Sequence, residues 1–180
     1  MRGASFPLAS PWQRREISSL LRRLPPLAGD GIRIETTPGL RDRRGPVHAG
    51  AELRRRRIRF DCTRAEFPRI FTHELFHFVW FRLGNPARRS FEDLLIREKR
   101  AGAPGELGWS AEWRKMALAP VDLARRTRRW REYCCESFCD TAAWLYAGLG
   151  THEEFTLPRK FRRTRAAWFR GTIETKRLSI

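Results

Sequence analysis

Phe67-Pro68-Arg69-Ile70-Phe71-Thr72-His73-Glu74-Leu75-Phe76-His77-Phe78-Val79 is the stretch on which the reading of this 180-residue chain turns. Pro68 fits the first turn of a helix and not its interior, so the spacing predicts a helix from Phe67 or Pro68 to about Leu83. Gly84-Asn85-Pro86 then stops it. Ile70, Phe71, Leu75, Phe78 and Val79 can pack inward. Residues four apart share a helix face, so His73 and His77 can offer imidazole nitrogens to one metal ion. Glu74 is rotated from His73 by about 100°, which sets its carboxylate beside the open position of such a metal rather than on it. There it can take a proton from a water that zinc has acidified to a pKa of about 7. The plainer alternative is two histidines on one helix face with no ligand. Half of the chain's 4 histidines fall in this one segment, which favours the metal.

Two histidines do not complete a catalytic zinc site; a third protein ligand is needed, with the fourth position left to water. Glu136, in Glu136-Ser137-Phe138-Cys139-Asp140, is the candidate ligand. Asp140, one turn on, can accept a hydrogen bond from the outer nitrogen of His73 or His77 and fix its tautomer. Cys135 and Cys139 are also one turn apart, and with the two histidines they would make a closed structural zinc site instead of a catalyst. Read without a metal, they are small buried residues of a helix. His152, Tyr133 and Tyr146 are three open candidates for stabilising the oxyanion at an attacked carbonyl.

Around this centre the elements are short and mixed. Ser10-Pro11-Trp12-Gln13 is a capping box with proline at the first helical position, and Ile17, Leu20, Leu21 and Leu24 follow at core-facing spacing. Ile32-Arg33-Ile34 alternates as a strand does, and Arg41–Pro46 reads as a loop. From Val47 to Asp61 the pattern is extended, with Arg57-Ile58-Arg59-Phe60 as an edge strand protected by its arginines. Phe91–Lys99 and Ala111–Leu118 read as helices on either side of a loop at Gly102–Gly108. One long helix is predicted from about Val121 to Tyr146, and a basic C-terminal helix lies within 157–173. The expected class is α+β, in one domain over 1–180, with a helical insertion at 84–127.

Composition bounds the rest. Hydrophobic residues make up 41%, with 7 Trp and 12 Phe, enough to build a core and to exclude a wholly disordered chain. Against 20 acidic residues stand 37 Lys and Arg, a net charge of +17 that attracts polyanions. Nucleic acid is therefore a candidate partner, supported by Phe161, Trp168 and Phe169 among Arg159–Arg165. A solvated arginine-rich face is the bland equivalent. Phe78–Phe81 and Ala142–Gly148, the longest apolar runs, are far too short for a membrane span. No secretory apolar stretch opens the chain and the cysteines form no disulfide framework, so a reducing cytoplasm is expected.

Arg57-Ile58-Arg59-Phe60, then Arg69–His77, then Glu136–Asp140, taken together, resemble the gluzincin metallopeptidases, and among them the compact ImmA/IrrE-type minigluzincins. The resemblance implies a zincin-like fold, with a small, mostly antiparallel sheet packed on the active-site helix and further helices C-terminal to it. It implies Zn2+ held by His73, His77 and Glu136, Glu74 as general base, and Asp140 where such proteins often place an Asp or Asn beside the ligands. The activity it implies is zinc-dependent hydrolysis of peptide bonds in a protein or peptide substrate, aligned on an edge strand around Leu53–Phe60. Phe76 stands where the family usually has glycine, and residues 84–127 are extra to its compact pattern. A basic nucleic-acid-associated regulator with little or no hydrolysis is the expectation from a different class.

Overall fold

The computed structural model describes residues 4–42 and 45–180. Helix α1 spans Pro11–Leu21, opened by Ser10, whose Oγ accepts from the Gln13 amide while the Gln13 side chain accepts from the Ser10 amide. Strands β1 (Leu27–Ala28) and β2 (Arg33–Thr36) follow. Next, β3 (Arg41–Asp42) and β4 (Gly45–Pro46) pair antiparallel within the segment read as a loop, whose residues 43 and 44 lie outside the described residues. Strand β5 (Ala49–Glu52) leads through a 3-10 turn at Leu53–Arg55 into β6 (Arg57–Phe60). At the end of that turn Arg56 adopts φ 48°, which folds the chain back on itself.

The main sheet runs β2-β6-β5, with β6 parallel to β2 and antiparallel to β5. It is therefore mixed rather than mostly antiparallel. The tight turn at Leu53–Arg56 reverses β6 against β5, whereas the longer excursion through β3, β4 and β5 returns it parallel to β2. A second expectation also changes: Arg57–Phe60 is the central strand, and β2 and β5 are the edges. The arginines of β6 do not guard an edge. Arg57 pairs with Glu35 and Glu52 at 3.0 and 2.7 Å, and Arg59 with Glu52 at 2.8 Å, across the strands on either side.

Helix α2 (Phe67–Arg82) is buried on nearly every side, with Phe67, Phe71, Leu75, Phe76 and Phe78 fully enclosed. A helix apolar almost all round belongs at the centre of a core. It packs chiefly against β5 and a later helix, and its histidine stripe is the part left facing a cleft. Gly84-Asn85-Pro86 both ends α2 and starts α3 (Asn85–Arg100), because Pro86 sits in the first turn of α3, earlier than the Phe91 start expected. Helices α4 (Trp109–Met116) and α5 (Pro120–Arg125) complete the helical segment 84–127.

The single long helix expected from Val121 is two helices, α5 and α6 (Arg128–Tyr146). Arg126 takes φ 46° between them, and Asp122 holds the break by accepting from the Ala119 amide at 2.9 Å and from Thr127 Oγ1. Helix α7 spans Arg159–Thr172, and β7 (Leu178–Ser179) pairs parallel with β1. The aromatic residues of α7 point away from its exposed Arg159, Arg163 and Arg170. Phe161 and Phe169 are buried, and Trp168 packs on Phe91 and donates to Ser90 Oγ. Among the described residues no helix is long and apolar enough to cross a membrane.

Candidate metal centre and its cleft

Helix α2 brings His73 and His77 to one side with their Nε2 atoms 3.2 Å apart. Helix α6 packs across that side and delivers Glu136, whose Oε2 lies 3.3 Å from His73 Nε2 and 4.0 Å from His77 Nε2. Donors held 2.0–2.2 Å from a tetrahedral zinc stand about 3.3–3.6 Å apart; the separations of 3.2 and 3.3 Å lie close to that span and the 4.0 Å one exceeds it, so the three could hold one ion after a small shift of His77 or Glu136. Two neutral imidazoles and one carboxylate are also a donor set that zinc accepts.

Each donor is held from behind. Asp140, one turn beyond Glu136 on α6, places Oδ1 2.7 Å from His73 Nδ1. Its Oδ2 accepts from the Ala111 amide at 3.2 Å and from Ser110 Oγ at 3.4 Å. Ser110 Oγ also donates to Glu136 Oε2 at 2.9 Å, and Arg114 Nη2 stands 3.2 Å from Glu136 Oε1. The outer nitrogen of His77 faces a different atom, Cys135 Sγ, at 3.4 Å.

The charges reinforce one another. Burial alone would raise the Glu136 carboxyl, but the hydrogen bond to His73 and the positive charges of His77, His73 and Arg114 hold it far below the usual carboxylate range. Burial would lower the His73 imidazole; Asp140, Glu136 and Glu74 outweigh it and raise His73 well above the ordinary histidine value. His77 is likewise lowered by burial, and Cys135 and Glu136 raise it on balance to about 9. The neighbouring Cys139 thiol and the charge on His77 lower the Cys135 thiol below its ordinary value, against burial.

The centre lies in a cleft of about 640 Å³. One wall is the chain from Pro46 to Ala51, including β5, whose side opposite β6 carries no strand among the described residues. The facing wall is α4, with Trp109, Trp113 and Arg114, and Glu74 lines the cleft beside the donors. A second groove of 710 Å³, between Asn85–Asp93 and Arg126–Arg131, contains none of these residues; Arg126 there is already paired with Glu92 and Asp93.

The structure separates the remaining sequence candidates from the cleft. Tyr133 is buried and donates to Glu106 Oε1 at 2.6 Å. Tyr146 stacks on Phe76 and donates to Glu174 at 3.1 Å. His152 Nε2 is 3.2 Å from Glu66, and its Nδ1 accepts from the Glu154 amide. None of the three is among the residues that line the cleft. The polar donors that do line it include Arg69, Ser110 and Arg114. Arg69 is held by Glu66 and Glu154.

The cysteines group with only one histidine. Cys135, Cys139 and His77 form a donor set of their own, while His73 and His77 form theirs with Glu136. Cys135 meets His77 at Nδ1, the nitrogen opposite the one that faces Glu136. Ser110 and Arg114 are the participants that spacing did not reveal, since nothing along the chain relates α4 to α6; Cys135 is expected from spacing only as a candidate zinc ligand, not beside Nδ1 of His77. Compared with protein-family models, with curated proteins and with solved structures, the chain matches none.

Proposed function

We propose that this protein is a zinc-dependent endopeptidase of gluzincin type, acting on extended segments of protein or peptide substrates. The observation that carries the reading is the convergence of His73 Nε2, His77 Nε2 and Glu136 Oε2 within 3.2–4.0 Å, on the floor of a cleft that Glu74 also lines. Zinc held by these three would supply a Lewis acid that brings the pKa of a water to about 7 and polarises a carbonyl.

The chain's own residues account for the rest. The Glu74 carboxylate accepts the proton of the attacking water and returns it to the departing amine nitrogen, as a general base and then a general acid. Asp140 holds the His73 imidazole in the tautomer that presents Nε2. Ser110 and Arg114 hold Glu136. The open edge of β5 offers backbone N–H and C=O groups with which an extended substrate can pair as an added strand. Ala49, Gly50 and Ala51 leave that wall low, and a side chain at Gly50 would meet nothing within 4 Å.

The test is metal content together with hydrolysis of an unfolded protein substrate. Glu74→Gln should retain zinc and lose at least about 100-fold in rate, the span a general base commonly contributes. Full proteolysis by that variant, or stoichiometric zinc in His73→Ala, would overturn the proposal.

A basic nucleic-acid-associated regulator with little or no hydrolysis stands second. It draws on the net charge of +17 and the exposed Arg159, Arg163 and Arg170 of α7. It loses the stacking platforms it invoked, because Phe161 and Phe169 are buried. A steep salt dependence of DNA or RNA binding would favour it. A closed His and Cys zinc site stands third; X-ray absorption separates it, since sulfur ligands sit at about 2.3 Å and nitrogen or oxygen at about 2.0–2.2 Å.

A further inference from the structure

We propose that Cys135 is the positioning residue of His77: its sulfur receives the Nδ1–H of the ring and so holds Nε2 toward His73 and Glu136. The inference rests on the metal reading above and adds to it a role for a thiol that this reading does not require.

An imidazole that binds a metal through Nε2 carries its proton on Nδ1, and that proton needs an acceptor that fixes both tautomer and ring orientation. His73 has one in Asp140 Oδ1 at 2.7 Å. For His77 the structure offers Cys135 Sγ at 3.4 Å, an ordinary distance for an N–H donated to the larger sulfur atom. Cys139, one helical turn away, brings its sulfur within 4.8 Å of both Cys135 Sγ and the His77 ring. Cys139 is fully buried and Cys135 half-buried.

The placement follows from α6 itself. Cys135 directly precedes Glu136, so one turn of helix carries both a metal donor and the acceptor that orients another donor. Four residues on, Cys139 and Asp140 repeat the pattern, the thiol beside Cys135 and the carboxylate holding His73. The same geometry argues against the cysteines as ligands of the first ion. Sulfur meets His77 on its Nδ1 side, while the donors of that ion gather on the Nε2 side.

The experiment is a competition titration of zinc into metal-free protein against a chelating dye, for the native chain, Cys135→Val, Cys135→Ala, Cys135→Ser and His73→Ala. Valine fills the space of the thiol but accepts no hydrogen bond, whereas serine accepts one. The expected result is a zinc Kd raised about 10- to 100-fold in Cys135→Val and Cys135→Ala, with Cys135→Ser recovering most of the loss. Thermal unfolding of the metal-free forms should differ little among the Cys135 variants, which separates positioning from a general packing role. Cobalt replacing zinc in the native chain should show no sulfur-to-metal charge-transfer band. Unchanged affinity in both Cys135→Val and Cys135→Ala overturns the inference alone. A sulfur-to-cobalt band in the native chain also overturns it, because Cys135 or Cys139 would then be a ligand. Zinc binding that is absent from the native chain, or unaffected in His73→Ala, overturns the metal reading and this inference with it.

Discussion

At the residue scale, the centre gathers opposite charges in the half-buried lining of the cleft. Glu136 stays ionised because His73, His77 and Arg114 surround it, and both imidazoles are raised above their ordinary value by the carboxylates and the Cys135 sulfur. A raised imidazole holds its proton at neutral pH, and a metal donor must give it up. Zinc binding near pH 7 should therefore release at least about one proton per ion, and affinity should rise with pH until His77 has titrated at about 9. Calorimetry in two buffers of different ionisation enthalpy counts those protons. Equal binding heats in both would mean that the histidines are neutral before the metal arrives. Ser110 and Arg114 act at the same scale, since each ties one oxygen of Glu136 to α4.

At the scale of elements, α4 is seated on the metal centre by its first turn. The Ala111 amide and Ser110 Oγ reach Asp140, and the residue before the helix, Gly108, approaches the same carboxylate so closely that an added Cβ would lie 2.3–2.4 Å from its atoms. The backbone of Gly108 is extended, so the requirement is for space and not for an unusual dihedral. Gly108→Ala must push α4 away from α6 or turn Asp140 away from His73. The expected cost is about 1–3 kcal/mol, as for other overpacked contacts, accompanied by weaker zinc binding. Urea unfolding and the zinc titration check the two effects separately. An alanine variant with native stability and affinity would show that α4 is not anchored there. In this way the helical segment 84–127 forms one wall of the cleft and braces Glu136 and Asp140.

At the scale of the whole molecule, a second polar cluster joins the same segment to the rest. Arg165 of α7 is completely buried and pairs with Glu98 of α3 and Glu106 of the α3–α4 connection, both at 2.7 Å. Lys115 of α4 adds a further pair with Glu106 at 3.2 Å, and Tyr133 of α6 donates to it. Removing one partner from such a network strands the others in a medium of low dielectric, at a cost of about 3–5 kcal/mol. Arg165→Met should lose that much stability by chemical denaturation, and adding Glu98→Gln and Glu106→Gln should recover part of it. If Arg165→Met alone unfolds at the native midpoint, the cluster is not holding the helices together.

The features legible along the chain are those that local geometry controls. The capping box opens α1, Pro68 sets the start of α2, and the spacing of four places His73 and His77 on one face. All three depend on residues within a turn or two of each other. Convergence depended on tertiary structure, because it arises from packing between elements far apart in the chain. The fold brings Glu136 to the histidine pair across 84–127, while Cys135 and Cys139 meet only the far side of His77. It also takes Tyr133, Tyr146 and His152 into other contacts, makes β6 the sheet's central strand rather than an edge, and turns Arg165 inward. Alternation along a strand does not reveal which neighbours will pair with it, and an arginine's letter does not reveal whether two buried carboxylates await it. Such partners are supplied only by the packed chain, where burial makes an unpaired charge or backbone group too costly to leave unmet.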